Sequence, residues 1–320
     1  MAANAVIEAE GLRKTFRGLR GGRRVALDGL DMVVPEGGVH GFLGPNGSGK
    51  TTTIRMLLGL VRADAGTMRL LGQPVPKALS RVVGSVGAVV ESPQFFPAFS
   101  GRRNLRLLAR VAGIGRGRVD EVLDTVGLLE RAGDRYKSYS LGMKQRLAIG
   151  ATLLKEPQLL ILDEPTNGLD PAGIREVRDS LRRLASQGTT VLLSSHLLAE
   201  VEQVCDSVTI LARGRHIRSG SVGDVLAERS TGQLRVRLPD LVAGEHILAA
   251  NGFTVQRERD HLLVERIDDP SRITECLAGR SQYVSELTPI GVDLESVFLA
   301  LTGTAEPGQP VGGSGPGESS

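Results

Sequence analysis

The feature that most constrains this chain is an octapeptide that matches G-x-x-x-x-G-K-[ST] at every fixed position, Gly44-Pro45-Asn46-Gly47-Ser48-Gly49-Lys50-Thr51. Its glycines lack the side chains that would hold the backbone away from an anion, so successive N–H groups can surround phosphate oxygens. An apolar run over 38–43 precedes the octapeptide, and a helix-like run over 52–58 follows it. This strand–loop–helix order predicts a site for a nucleoside triphosphate rather than an ordinary glycine-rich turn.

Lys50 and Thr51 have separate predicted tasks within this loop. The Lys50 ammonium would approach the β- and γ-phosphates, and the Thr51 hydroxyl would coordinate Mg²⁺. The helix that follows would direct the positive end of its dipole towards the bound anion.

Two carboxylates mark a second candidate site. Asp163 and Glu164 end the apolar run Leu159-Leu160-Ile161-Leu162, which predicts a buried strand. Adjacent like charges in a partly dry site are unfavourable without a metal ion or a proton relay, so the pair indicates function rather than structure. His196 follows the apolar run from Thr189 to Leu193, and we expect it at the same edge of the sheet.

Several features leave a choice open on local sequence alone. Phe16 precedes a Gly- and Arg-rich loop over 17–24 and could stack on adenine, although its spacing favours a core position. Phe95, Phe96 and Phe99 lie in a proline-punctuated segment, which predicts either a docking surface or rings folded onto their own domain. The apolar run from Val82 to Val90 predicts one buried strand.

Composition limits the class of protein. The chain has 320 residues, 41% hydrophobic and 23% charged, which is enough for one large domain and a small one. Its formal net charge of +3 gives little support for a nucleic-acid partner. We expect a cytoplasmic chain, since no run reaches the roughly 18 apolar residues of a membrane span and the start lacks a signal-peptide pattern. Cys205 and Cys276 are predicted to be unpaired thiols.

Five motifs occur in the order GPNGSGKTT, YSLGMKQR, LLILDEP, NGLD and SSH. Together they resemble the nucleotide-binding subunit of an ATP-binding-cassette (ABC) transporter, over residues 5 to 220. The resemblance implies an α/β fold, a P-loop ABC ATPase cassette with a mixed-sheet core and a helical subdomain. It also implies hydrolysis of ATP with Mg²⁺ as the cofactor.

The resemblance assigns roles to individual residues. The catalytic residues would be Lys50, Glu164 and His196, with Asp170 in the dimer loop. The metal ligands would be Thr51, Glu91 and Asp163. The nucleotide would be held by Phe16, Gly44, Pro45, Asn46, Gly47, Ser48, Gly49, Lys50, Thr51, Thr52, Ser140 and Gly142.

Two departures from the family pattern bear on this assignment. Glu91 stands where the family usually has glutamine, and cassettes of bacitracin, lantibiotic and daunorubicin exporters often share that glutamate. In the signature, Leu141 replaces a glycine and Met143 a glutamine, whereas Ser140 and Gly142 are retained. Ser140 also has the chemistry of a helix N-cap.

The resemblance further implies two partners. Two cassettes of this family pair head to tail, and the signature of one caps the ATP of the other. Because Glu164 and His196 are both present, the simpler interpretation is a homodimer with two working sites. A separately encoded polytopic membrane subunit would dock at the Phe95–Phe99 loop, which places the protein at the cytoplasmic face of the membrane as the ATPase of an exporter. A soluble ABC ATPase acting on ribosomes or DNA, and the ATPase of an importer, are the alternatives.

The predicted domains are a cassette over 1–220, a small α+β accessory domain over 221–302 and a disordered Gly/Pro/Ser-rich tail over 303–320. The accessory domain carries no catalytic cluster. Its role, regulatory, dimer-supporting or merely structural, stays open.

Overall fold

The computed structural model describes residues 4–17, 22–90, 94–227, 233–265 and 269–289, together with Leu294 and Phe298. The predicted metal ligand Glu91 and the predicted tail over 303–320 lie outside these residues. The chain divides into two compact units, Met1–Val222 and Gly223–Ser320.

The strands described in the first unit are β1 (Ala5–Arg17), β2 (Arg23–Pro35), β3 (Val39–Leu43), β4 (Ala65–Leu70), β5 (Gln73–Val75), β6 (Val86–Val89), β7 (Leu159–Asp163), β8 (Thr190–Ser195), β9 (Ser207–Ala212) and β10 (Arg215–Ser221). The helices are α1 (Lys50–Leu57), α2 (Leu79–Val82), α3 (Gly101–Val111), α4 (Arg116–Thr125), α5 (Leu141–Leu153), α6 (Pro171–Ser186) and α7 (Leu198–Val204), and α8 (Val222–Ala227) begins at the last residue of the unit.

The central sheet has six strands in the order β10-β9-β3-β8-β7-β6. The strands from β9 to β6 pair in parallel, and β10 is antiparallel to β9 at one edge. Every residue of β3 and β8 is buried, because parallel strands in such sheets are covered on both faces. Parallel pairing brings the carboxyl ends of β3, β7 and β8 to one edge of the sheet, where open α/β sheets place their sites.

A second, antiparallel sheet has the order β2-β1-β4-β5. Its apolar side chains and those of α1 form one core cluster, with Ile7, Leu12 and Leu30 from the sheet and Ile54 and Leu57 from the helix. This core fixes β1 and β2, which carry Phe16, Arg24 and Ala26 to the cavity at the phosphate loop.

Side-chain caps begin three of the described helices of the first unit, where the sequence provides an oxygen. Ser100 accepts the Arg103 N–H at the start of α3, Ser140 accepts the Met143 N–H at the start of α5, and Asp170 accepts the Gly173 N–H at the start of α6. Helices α3, α4 and α5 pack on one another and form the helical part of the unit.

The single strand predicted from Val82 to Val90 is wrong in its first half. Val82 ends α2, a turn follows, and only Val86–Val89 forms the strand β6. The Ser85 carbonyl accepts the N–H groups of Gln158 and Leu159, so this turn docks onto the start of β7.

The described part of the second unit contains β11 (Leu234–Arg237), α9 (Leu241–Ala250), β12 (Thr254–Arg257), β13 (Leu262–Glu265), α10 (Ser271–Ala278) and β14 (Glu286–Pro289). Its antiparallel sheet has the order β12-β13-β11-β14. A β-α-β-β-α-β chain with this strand order is the ferredoxin-like, split β-α-β arrangement. Buried leucines, valines and Ile273 form a core of its own.

Candidate functional site

The loop between β3 and α1 has the geometry of a phosphate cradle. Gly49, the residue before α1, has a φ of 113°, in the left-handed region that disfavours side chains. A Cβ built on Gly49 would lie 2.8 Å from the Ala26 carbonyl oxygen, and one on Gly44 would lie 2.6 Å from that of Leu211. Both positions therefore require glycine, and the N–H groups at the start of α1 are left free for an anion.

Lys50 is buried beneath this loop. Its Nζ donates a hydrogen bond to the Gly44 carbonyl oxygen at 2.6 Å and lies 3.2 Å from Glu164 Oε1. The ammonium thus ties the first residue of the loop to the carboxylate that follows β7.

Glu164 is held from several sides. It has a φ of 50°, uncommon outside glycine, and its N–H donates to the Ser194 hydroxyl at 3.0 Å. Its Oε2 lies 2.6 Å from Nδ1 of His196. The Glu164 carboxylate therefore bridges Lys50 and His196. The Glu164 backbone is fixed by its hydrogen bond to Ser194, near the end of β8. The Ser194 hydroxyl in turn donates to Asp163 Oδ1.

Lys50, Glu164 and His196 line one cavity of about 460 Å³. It brings together nine of the predicted site residues, Phe16, Asn46, Gly47, Gly49, Lys50, Thr51, Thr52, Glu164 and His196. Phe16 is 40% exposed, so of its two readings the core position does not apply. Arg24, Ala26 and Asn167 also line the cavity and were not predicted.

The remaining predicted residues lie elsewhere. Asp163 lines a neighbouring cavity of about 510 Å³ with Gln94, Phe95 and Leu141. Ser140 and Gly142 are not among the described residues that line either cavity. Pro45 and Ser48 support the loop from within, since the Pro45 carbonyl accepts the Ser48 N–H at 3.1 Å.

Comparison with known proteins agrees with this geometry. Residues 27–167 match the ABC transporter family. The daunorubicin/doxorubicin resistance ATP-binding protein DrrA of Streptomyces peucetius is 39% identical, over 93% of this chain and 92% of that protein. The bacitracin transport ATP-binding protein BcrA of Bacillus licheniformis is 35% identical, over 94% of this chain and 98% of that protein. The chain belongs to the ABC transporter ATP-binding proteins.

A solved structure agrees with the same fold. It is that of cbiO1 from Clostridium perfringens, part of the ABC transporter complex cbiONQ, with 30% identity and a TM-score of 0.63. The matched region covers 71% of the chain described here and 92% of the cbiO1 chain. The predicted α/β P-loop ATPase cassette is confirmed, and the protein is an ATP-binding, ATP-hydrolysing transporter subunit. Within the described part of the chain, no helix is long and apolar enough to cross a membrane.

The predicted signature, residues 140–143, lies against Gly168 and the start of α6 in the same chain. A Cβ built on Gly142 would lie 3.5 Å from the Gly173 Cα, and one on Gly168 would lie 3.3 Å from Leu141 Cδ2. Close packing of Gly142 on Gly173 sets the starts of α5 and α6 side by side. Leu141 is 50% exposed next to them.

Arg146 is a structural residue of the signature helix that the sequence reasoning missed. Its Nη1 donates to the carbonyl oxygens of Val126 at 3.1 Å and Gly127 at 3.0 Å, and its Nη2 lies 2.9 Å from Glu176 Oε2. It closes the carboxyl end of α4 and joins α4, α5 and α6. Its place in YSLGMKQR was the available signal.

The Phe95–Phe99 loop partly folds onto its own unit and partly faces outward. Phe95 packs edge-on against Tyr136 at 5.2 Å between ring centroids, and Asn104 holds the loop by accepting the Phe96 N–H at 2.9 Å. The Phe96 ring is 56% exposed. The Phe95 ring therefore folds onto its own unit, and a docking surface at Phe96 stays a prediction.

A divalent cation would need oxygen ligands from a bound nucleotide and water as well as from the chain, because Thr51 and Asp163 line two neighbouring cavities. The described residues contain no group of three or more His, Cys, Asp or Glu side chains that could hold a metal ion. Thr51 and Asp163 provide a hydroxyl and a carboxylate, which are hard oxygen donors of the kind that Mg²⁺ takes together with substrate phosphates and water.

Proposed function

We propose that this ATPase powers export of an antibiotic-like, lipid-like or peptide compound through a separate membrane subunit. The observation that carries the proposal is the extent of its similarity to DrrA and BcrA. It spans more than nine tenths of this chain and of each relative, and so includes the unit that follows the cassette. Those relatives are named for resistance to daunorubicin and transport of bacitracin.

We propose that Glu164 positions and polarises the water that attacks the γ-phosphate. The carboxylate lines the cavity and is in contact with both Lys50 and His196. Lys50 and the free N–H groups at the start of α1 would neutralise the phosphate oxygens, and His196 would hold the carboxylate in position. Phe16, an exposed ring that lines the same cavity, would stack on adenine.

Thr51 and Asp163 would hold Mg²⁺ in this proposal, with Glu91 as a further candidate. The metal ion, when bound, neutralises charge on the β- and γ-phosphates. The chain's contribution is orientation, because the Ser194 hydroxyl fixes the Asp163 carboxylate through a hydrogen bond.

The proposed active form is a head-to-tail homodimer. Support comes from the placement of Ser140 and Gly142, which do not line the cavity that contains Lys50 and Glu164. A second copy would have to supply them. The N–H groups at the start of α5, with Ser140, would then face the γ-phosphate bound by the other chain.

The membrane subunit is proposed to dock at the Phe95–Phe99 loop from the cytoplasmic side. The exposed Phe96 ring supports this proposal. The loop continues into a groove of about 760 Å³ lined by Phe99, Leu107 and Ile114 and by four arginines, Arg103, Arg106, Arg110 and Arg116. A groove lined by apolar side chains and arginines is typical of a protein-docking surface rather than of a catalytic cleft.

The test pairs a transport assay with one substitution. Glu164→Gln should bind ATP with wild-type affinity while hydrolysis falls by about 100-fold or more, because the attacking water loses its base. A sensitive host that expresses the chain with its copurifying membrane subunit should gain tolerance to daunorubicin or bacitracin, and the variant should abolish that gain. Cofractionation with ribosomes or DNA, and no membrane subunit, would contradict the proposal.

A further inference from the structure

Arg24 lies in the nucleotide cavity at a place that none of the five motifs covers. It stands on β2 directly opposite Phe16 of β1 in the antiparallel register, and both side chains line the cavity. A Cβ built on Gly47 would lie 3.0 Å from Arg24 Nη2. The guanidinium therefore rests against Gly47 of the phosphate loop, in a cavity that Phe16 and Lys50 also line.

The two cations that line the cavity, Lys50 and Arg24, differ in whether protein groups already pair with them. Lys50 is buried and bound to the Gly44 carbonyl and to Glu164. Arg24 is exposed, and none of the described carboxylates forms an ion pair with it. An incoming polyphosphate would thus meet Arg24 as an uncompensated cation with five N–H donors.

We infer that Arg24 binds the phosphate chain of the nucleotide and sets the affinity of this subunit for nucleoside di- and triphosphates. The inference rests on the proposed nucleotide pocket. Arg24 Nη2 lies beside Gly47 of the phosphate loop, whereas the group that would handle the attacking water is Glu164, which is held by His196. It binds ground state and transition state alike, so its loss raises KM and leaves kcat almost unchanged.

The experiment titrates the full-length chain, without Mg²⁺, with ATP and with adenosine. Arg24→Gln should weaken ATP binding about five- to tenfold, as expected for a charge-assisted contact at an exposed site. Adenosine affinity should not change, because adenosine has no phosphate. Arg24→Lys keeps the charge and should stay within about threefold of wild type. The Arg24→Gln effect should shrink between low and high salt, as screening predicts.

Arg23→Gln is the matched control. Arg23 is the neighbouring exposed arginine on β2, is paired with Arg17 in the strand register and is not among the described residues that line the cavity. Its titration curves should match those of wild type. Steady-state hydrolysis should show a raised KM for Arg24→Gln with kcat within about twofold.

Two results would overturn the inference. One is an unchanged ATP affinity in Arg24→Gln, and the other is an equal loss of ATP and adenosine affinity, which would place Arg24 at the base rather than the phosphates. Lys50→Ala and Phe16→Ala separate this failure from that of the pocket. If both leave ATP binding intact, the pocket is wrong; if they weaken it and Arg24→Gln does not, only the role of Arg24 fails.

Discussion

At the scale of single residues, a buried histidine makes the stability of the cassette sensitive to pH. His40 lies on β3 with its side chain 3% exposed, and its Nδ1 and Nε2 lie 2.7 Å from Ser207 Oγ and 2.9 Å from Thr209 Oγ1. Burial lowers the pKa of His40 to about 4, from an ordinary 6.5. Below pH 6.5 the unfolded chain therefore takes up a proton that the folded chain refuses, and stability falls until about pH 4.

The expected size follows from this pKa difference. Between pH 7.5 and 5.0, His40 should cost the folded state about 2 kcal/mol. His40→Gln keeps hydrogen-bonding groups but does not titrate, so urea unfolding at the two pH values should show the gap between wild type and variant narrowing by that amount. Other groups titrate alike in both proteins and cancel. A gap that is the same at both pH values would contradict the prediction.

The residues of the site differ in how far the sequence predicts them. The glycines, Lys50 and Thr51 are predictable because their spacing along one loop is the site itself. Glu164 and His196 are predictable because each follows a buried parallel strand, and such strands end at one edge. The place of Arg24 in the cavity is not predictable from local sequence. Its approach to Gly47 depends on the pairing of β1 with β2, which no local pattern encodes.

At the scale of elements, strand boundaries are predictable only where local sequence marks both ends of the strand. The apolar run over 159–162 follows Pro157 and Gln158 and ends in two carboxylates, and it forms β7 as expected. The run over 82–90 divides into a helix end, a turn and β6, because a helix end and a buried strand show the same apolar pattern. The registers that assemble the sheets depend on contacts between residues far apart in the chain.

Arg146 gives a prediction at this scale, because its contacts join three helices. Arg146→Met keeps the apolar stem but leaves the carbonyls of Val126 and Gly127 and the Glu176 carboxylate without their donor. We expect a loss of about 2 kcal/mol in the free energy of unfolding, measured by urea denaturation.

Arg131→Met is the control for the loss of an arginine from the same region. Arg131 pairs with Asp134 three residues away, and its side chain is 61% exposed. A surface pair of this kind contributes at most about 1 kcal/mol. Equal effects of the two substitutions would mean that Arg146 is no more than a surface charge.

At the scale of the whole molecule, the chain combines a cassette with a unit that has its own core and its own sheet. The proposed boundaries, a cassette over 1–220 and an accessory domain over 221–302, rest on this independence of the cores. The chemistry lies in the first unit. A chain of the 221–302 segment alone should therefore fold without binding ATP, which circular dichroism and ATP titration would check.

The proposed homodimer leads to a prediction that only two copies together can meet. Each site would combine the phosphate loop and Glu164 of one chain with Ser140 and Gly142 of the other. Lys50→Ala disables a chain's own loop, and Ser140→Arg disables what it gives to its partner, so either variant alone should be inactive. In a mixed dimer one site is doubly damaged, and the other is built entirely from wild-type residues.

An equal mixture of the two variants should therefore regain about one quarter of wild-type ATPase activity, since about half the dimers are mixed and each has one intact site. Lys50→Ala mixed with Glu164→Gln is the control, because both lesions then lie on the loop side and no site is restored. Ser140→Arg also removes the cap on the Met143 N–H, so its thermal unfolding must be measured beside that of wild type. If the variant is folded and the first mixture is as inactive as the control, the signature does not act across two chains.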